Sequence, residues 1–435
     1  VADRVEALHQ LLSMDFDRAW LIARDADVFG ELAAWRRSIV NETGRDLRVV
    51  AIAGGTTASR VIEAIVGTTD HEILVDEMSI SSPRVSSLAL PQKALGKPAR
   101  RLVADGSGAG LARLVWRDFQ RKDPGDGEIE IEVAATGLNF RDVMLAQGLL
   151  PPHAARGGFA GPLLGMECSG RVVRTGQGSR FRKGDRVVSF ASGAFATHVT
   201  VPDAVALALP EEMDFVVGAS LPVAFFTAEY SLVELARLSA GETVLIHGAA
   251  GGVGQAAIQV ARNCGARILA TAGSPHKRRL AKALGADAVL DSRSLDFEQQ
   301  VSEATSGRGV DVVLNSLYGE AMERSLACLA PFGRFIELGK RDILTNAPIG
   351  LGAMRHNITY HAVDADELLD HRPDAAREVL ARVAEGFRSD ALSQLPVSVF
   401  AAADAEAAFR HMQRSAHMGK IVVEAPQRLE ARKPT

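Results

Sequence analysis

Apolar and polar positions follow two different rhythms along this chain. From about Ser239 to Asp366 the short apolar runs VLIHG, RILATAG, AVLD, VDVVLNSL and GRFIELG are separated by segments whose apolar residues recur with helical period. That alternation predicts strand, helix, strand, helix, and therefore an α/β fold with a doubly wound parallel sheet over residues 239–366. From about Ala112 the texture is instead one of short alternating strands, such as Ile129 to Val133 in EIEIEVAATG and Gly170 to Val173, punctuated by Gly-Asp and Pro-Asp turns. It predicts a small β-rich domain from about Ala112 to about Ser239. Beyond Asp366 the pattern predicts a helix Pro373 to Phe387, a strand Val397 to Phe400, a helix around Ala402 to Arg414 and a strand Lys420 to Glu424.

Residues 1–95 mix helical segments, Arg4 to Leu12 and Phe29 to Val40, with a strand Arg48 to Ala53 that meets Gly54 and Gly55 and then a further helix, Thr57 to Val66. The sequence there resembles a fragment of a second nucleotide-type fold. No matching phosphate or ribose chemistry follows, so a structural role is expected. Pro91 to Pro98 reads as a linker.

Composition narrows the classes. At 435 residues two or three domains are expected, and 47% hydrophobic content can fill their cores. A net charge of -4 gives no global reason to propose nucleic acid or an anionic membrane as partner. Cys168, Cys264 and Cys328 lie far apart with no CxxC spacing, which fits a reducing cytoplasm and suggests neither a disulfide framework nor a structural zinc site. The reading finds no uninterrupted apolar stretch long enough to span a bilayer and no signal segment, so a soluble chain is expected. A start at Val1 suggests processing or excision from a longer polypeptide.

The most informative segment is VLIHGAAGGVG, residues 244–254, where an apolar strand enters a glycine turn and QAAIQVARNCGA follows with helical period. A strand, a turn without side chains and a helix N-terminus make a pyrophosphate cradle, because unpaired helix amides and the macrodipole face the anion. Gly248, Gly251, Gly252, Val253 and Gly254 are the candidate contacts, with Ala249 standing where GxGxxG has its first glycine. The alternative is a tight turn without ligand. At the end of the next strand, Arg267 to Ala272, an NAD-binding chain would present a carboxylate to the ribose, and this one reads GSPHKRR. Ser274, Lys277, Arg278 and Arg279 suit a 2′-phosphate, so NADPH is favoured over NADH, unless the basic turn is only solvated.

The segments ATGLNFRDVM, LGMECSG, FRKGDRVV, HVTVP, HGAAGGVG, LNSL, FIELGK and HMGKIVV, occurring in that order, are together similar to the zinc-free medium-chain dehydrogenase/reductase superfamily. More closely they resemble the enoyl reductase domain of type I polyketide synthases and related fatty acid synthases, over about residues 100–425. The resemblance implies a GroES-like substrate domain (100–238) interrupted by a Rossmann NADPH-binding domain (239–366) and completed by residues 367–425. It also implies that residues 1–95 are an N-terminal α/β remnant of a neighbouring synthase domain, with DEMSISSPRVSSL similar to its exit strands.

In zinc-dependent relatives the segments matching GLNFRD and GMECSG carry a cysteine and a histidine ligand, and here Asn139 and Met166 stand in those positions. Neither suits zinc, so no metal is expected and reduction of a double bond conjugated to a carbonyl is favoured over alcohol oxidation. Charge then collects on an enolate oxygen, which hydrogen bonds can hold. By resemblance Lys340 and Asp364 are the candidate donors of the α-proton, directly or through water, with solvent protonation as the alternative.

The resemblance further places Asn315, Leu317, Leu338 and Gly339 along the nicotinamide and its ribose, Thr227 beside the nicotinamide, and Lys420 as a closing contact of the cofactor cleft unless it is merely solvated. Asn139, Thr227 and Leu150 form the candidate substrate side. Leu150 occupies the position where some polyketide enoyl reductases have a tyrosine associated with one α-methyl configuration; it is equally readable as an apolar lining residue. The implied partners are an acyl carrier protein bearing the enoyl chain, neighbouring ketoreductase and dehydratase domains, and a second copy in a homodimer. Competing readings are a freestanding quinone or enone reductase and a catalytically silent structural module of a megasynthase.

Overall fold

The structure, a computed structural model, describes residues 18–23, 46–52, 72–75, 80–81, 99–105, 113–151, 154–155 and 157–426. The chain divides into two compact units, Val1–Lys93 and Ala94–Thr435. In the first, strands Arg18–Ala23, Asp46–Ile52, Glu72–Val75 and Ile80–Ser81 form a sheet in that order, parallel up to the antiparallel last pair. Asp46–Ile52 is the strand expected at Arg48 to Ala53, and its Val49 and Val50 are fully buried. The helices expected at Arg4 to Leu12, Phe29 to Val40 and Thr57 to Val66, and the linker Pro91 to Pro98, lie outside the described residues.

The second unit contains a parallel sheet of six strands in the order Ala288–Asp291, Arg267–Ala272, Thr243–Ile246, Val310–Asn315, Leu329–Glu337, Thr359–Ala362. The Val, Ile and Leu runs of the four central strands are buried, the pattern a covered parallel sheet demands. On one face lie helices Pro222–Glu229 and Gly252–Asn263, packed through Phe225, Ala257, Ile258 and Val260. On the other lie Phe297–Ala304 and Glu320–Ala327, packed through Phe297, Val301, Met322 and Leu326. Strand order reverses between Thr243–Ile246 and Val310–Asn315, and such a switch opens a crevice at the carboxyl ends.

The other large sheet is mixed: Ala206–Ala208, Arg186–Phe190, Glu167–Thr175, Glu128–Leu138, Lys420–Glu424 and Val397–Phe400 follow one another, and His198–Pro202 also pairs with Glu128–Leu138. The two C-terminal strands thus close a sheet begun nearly three hundred residues earlier in the chain, Ile421 lying opposite Leu138. Ala99–Asp105 and Arg113–Phe119 form a separate ribbon.

Helical residues Phe215–Leu235 join the two sheets. This run of 21 residues, hydropathy 1.5, is long and apolar enough by length and composition to cross a membrane, although Glu229 and Glu234 interrupt its apolar sequence. It is 78% buried inside the protein because it is the seam of two cores. Phe225 packs on Phe387 toward the parallel sheet, while the adjacent Phe226 packs on Phe190 toward the mixed one. Apolar residues on opposite sides of a helix are what a doubly covered position requires.

Candidate functional site

All six parallel strands end on the same side, so the residues that follow them collect there. Strand Thr243–Ile246 leads through His247 into the glycine turn, and helix Gly252–Asn263 begins with Gly251 as a cap that offers no side chain to the first amides. Those amides receive no side-chain cap, and Val253 is half-buried in the first turn. Gly248 is exposed at the mouth of the turn. Gly254 allows the tight approach of turn and helix, since a Cβ there would stand 2.4 Å from the Gly248 carbonyl oxygen. Gly252 makes room for protein instead of ligand: its Cβ would lie 2.5 Å from Cδ of Lys420.

The turn is braced from below. His247 is buried, its Nδ1 2.9 Å from Thr271 Oγ1 and its Nε2 2.9 Å from Ser325 Oγ. Ser325 donates to the Ala321 carbonyl, so Nε2 carries the proton and Nδ1 accepts from Thr271. Burial pushes this imidazole down to about 3.

At the end of the next strand, Ser274 caps helix Pro275–Ala283 and accepts from the Lys277 amide at 3.3 Å. Lys277 Nζ donates to the Ser415 carbonyl at 2.6 Å, and its pKa is lowered by burial and by Arg293. Arg278 is paired with Asp291 at 2.8 Å, so it is partly neutralised within the chain. Arg293 and the imidazole of His417 stand beside Lys277. Burial and the charges of Lys277, His411 and Lys420 push His417 down to about 4, and its Nδ1 is a buried atom without a hydrogen-bond partner. Arg293 and His417 were not among the sequence candidates; only folding brings them to Lys277. A buried imidazole nitrogen without a partner beside the charges of Lys277 and Arg293 is a group that an anion could satisfy.

Across the switch point, Asn315, Leu317, Leu338 and Gly339 come together. Asn315 Nδ2 donates to the Leu317 carbonyl at 2.9 Å, its Oδ1 accepts from the Leu317 amide at 3.2 Å, and its carbonyl accepts from the Leu338 amide at 2.9 Å. Lys340 follows directly. Its Nζ donates to the Val363 carbonyl at 2.7 Å and to Asp364 Oδ2 at 2.8 Å, with side-chain exposures of 33% and 47% for the pair. Asp364 caps helix Ala365–His371 through its other oxygen, which accepts from the Asp366 amide at 3.2 Å.

Lys420 and Asn139 sit where the mixed sheet meets the glycine turn. The Gly419 amide donates to the Ala250 carbonyl at 2.8 Å, which carries strand Lys420–Glu424 against the turn. Lys420 is neither solvated nor free to close on a ligand with its charge: Nζ donates to Glu167 Oε1 at 2.6 Å, Asn139 Oδ1 at 2.7 Å and the Leu138 carbonyl at 3.1 Å, using all three protons. What it presents to the turn is its stem, over Gly252. Asn139 is equally engaged, its Nδ2 donating to Glu167 Oε1 at 2.8 Å and its amide to Asp142 Oδ2 at 2.9 Å. Asp142, wholly buried, also accepts from Gly165, and burial pushes its carboxyl up to about 6. Glu167, which the sequence reading did not single out, is fully buried and completes its set with the Val223 amide at 2.8 Å. Met166 precedes it, and among the described residues no three His, Cys, Asp or Glu side chains converge as a metal would require.

Comparison with known proteins places this geometry. The family described as alcohol dehydrogenase GroES-like domain matches residues 125–211, and that described as zinc-binding dehydrogenase matches residues 252–380. A phenolphthiocerol/phthiocerol polyketide synthase of Mycobacterium tuberculosis is 38% identical over 409 residues, 94% of this chain and 18% of that protein. The crystal structure of the CurK enoyl reductase is 39% identical with a TM-score of 0.69, covering 76% of this chain and 100% of that one. The chain belongs to the enoyl reductase family of polyketide synthases. A mycobacterial relative, Rv1454c, solved in complex with NADPH, is 28% identical with a TM-score of 0.65, covering 75% of this chain and 99% of its own.

In this enoyl reductase the remaining candidates are placed as follows. Thr227 lies half-buried on the seam helix between buried Phe226 and Ala228, and Leu150 lies half-buried in the turn after helix Phe140–Ala146, next to exposed Leu149. Glu167 and Glu337 carry a local signal: each is a carboxylate flanked by apolar residues, Met166 and Cys168 or Ile336 and Leu338, where burial demands a partner.

Proposed function

We propose that this enoyl reductase uses NADPH to reduce the α,β double bond of an enoyl thioester carried by an acyl carrier protein. The observation that carries the reading is the Lys340–Asp364 pair, 2.8 Å apart and half-open to solvent, at strand ends adjoining the Asn315–Leu317 and Leu338–Gly339 backbone edge. Bound there, the cofactor supplies the hydride that the β-carbon accepts. The glycine turn and the Gly252–Asn263 amides hold its pyrophosphate; Lys277, Arg293, His417 and Ser274 surround its 2′-phosphate; Leu317 and Gly339 align the nicotinamide end. Lys340, held by Asp364 and the Val363 carbonyl, delivers a proton to the α-carbon directly or through one water, and Asp364 draws a replacement from solvent. Asn139 and Lys420 act as a fixed wall joining the two sheets, while Leu150 and Thr227 line the substrate side.

The chain spans 18% of the length of the mycobacterial synthase it matches, and an alignment of 409 residues is longer than the second unit, so it reaches into the first. Residues 1–95 are then read as a structural remnant of an adjoining synthase domain, 100–238 with 367–425 as the substrate domain and 239–366 as the cofactor domain. Ketoreductase and dehydratase domains are the proposed neighbours, and a homodimer the proposed assembly.

The test follows NADPH oxidation with crotonyl-pantetheine and with a quinone, each repeated with NADH. Strong preference for the thioester and for the phosphorylated cofactor is expected. Turnover of the quinone alone would replace the reading with a quinone reductase, and failure to bind NADPH would leave a silent structural module.

A further inference from the structure

Glu337 ends the strand Leu329–Glu337 and is 4% exposed, yet no part of the reaction described above employs it. One carboxylate oxygen accepts from Asn315 Nδ2 and the other from the Gly339 amide, both at 2.5 Å, and its backbone carbonyl accepts from the Val363 amide at 2.9 Å. Asn315 in turn grips Leu317 through both its side-chain atoms, and the Val363 carbonyl receives Lys340 Nζ. A continuous set of hydrogen bonds therefore runs from Leu317 through Asn315, Glu337 and Gly339 to Lys340 and its partner strand. Such networks fix geometry only when every member is satisfied.

We propose that Glu337 is a positioning residue that locks the nicotinamide-facing edge and the proton-donating Lys340 into one register. The inference rests on the cofactor reading given above. The ionised carboxylate has acceptors for both donors, whereas the protonated acid must turn a hydroxyl toward one of them. Burial pushes this carboxyl up to about 7, helped by the charge of Asp342 and opposed by Asn315, the Gly339 amide and Lys340. The titratable groups facing it are Lys340 and Asp342 from the segment that follows and Tyr360 from the adjoining strand Thr359–Ala362, whose own phenol is pushed up to about 12 by burial and by Glu337 and Asp342. Strand Val310–Asn315 contributes the neutral Asn315. Cofactor affinity is thus set to weaken as Glu337 takes up its proton near neutrality.

NADPH dissociation constants, read by fluorescence titration of the full chain between about pH 5.5 and 8.5, test this directly. Wild type should bind more weakly as the pH falls through about 7. Glu337→Gln should bind about tenfold more weakly at pH 8, because a side-chain amide now faces a donor, and should lose that inflection. Asp342→Asn provides a second check that leaves the carboxylate in place: with its neighbour's charge removed, the inflection should move to lower pH. A Glu337→Gln protein with wild-type affinity and an unchanged profile, or an inflection that Asp342→Asn leaves where it was, overturns the proposal while leaving the cofactor reading intact. Absence of NADPH binding by wild type would overturn both.

Discussion

Two lysine–carboxylate pairs of nearly equal length belong to the two sheets and differ sharply in their access to solvent. In the mixed sheet, Lys420 and Glu167 are 2.6 Å apart with side-chain exposures of 6% and 0%, and every polar atom of the pair has a partner inside the chain. In the parallel sheet, Lys340 and Asp364 are 2.8 Å apart with exposures of 33% and 47%. Spacing alone does not separate a structural anchor from the proton donor we propose; access does. A buried pair is expensive to open, because either partner alone would be an unsolvated charge, so it fixes the approach of strand Lys420–Glu424 to the glycine turn. A half-open pair at strand ends costs little to rearrange and can trade a proton with substrate or water.

The largest expected effect breaks the buried side of this contrast. Lys420→Met leaves Glu167 buried without its cation and should destabilise the protein by about 3–5 kcal/mol in urea unfolding; a loss below about 1 kcal/mol would make the pair no different from a surface bridge. Next comes the brace beneath the glycine turn. His247, held down to about 3 by burial against an ordinary 6.5, must gain a proton on unfolding at acid pH, so its contribution is whole above about 6.5 and is lost as the pH falls toward 3. Unfolding free energy should drop by on the order of 3 kcal/mol more in wild type than in His247→Gln between about pH 6.5 and pH 4.

On the open side, Lys340→Ala and Asp364→Ala should each lower kcat by on the order of 100-fold with the thioester while changing stability by less than about 1 kcal/mol. If the two act as one relay, the double variant should be little worse than either single one; additive losses would separate their roles. The smallest effect is expected at the adenosine end, where Lys277→Ala should erode the preference for NADPH over NADH by about tenfold in kcat/KM, leaving kcat nearly unchanged.

The parts of this protein that were legible are those whose cause is local. The glycine turn needs Gly251 and Gly254 within a few residues of an apolar strand, the alternation of strand and helix is written in adjacent segments, and Ser274 with Pro275 announces a helix start. The strands Arg267–Ala272, Val397–Phe400 and Lys420–Glu424 lie where their patterns put them for the same reason. Phe215–Leu235 was harder, because hydropathy reports that a run is apolar on average and not whether lipid or two protein cores surround it.

Sequence by itself therefore determined the order of elements, the glycine turn and the family, since each rests on residues close together along the chain. Tertiary structure alone decided which charges are free. Lys420 meets Glu167 across 253 residues, and Arg293 and His417 reach Lys277 from separate loops. Burial and charge pairing depend on what the folded chain brings near, and no local spacing encodes that distance.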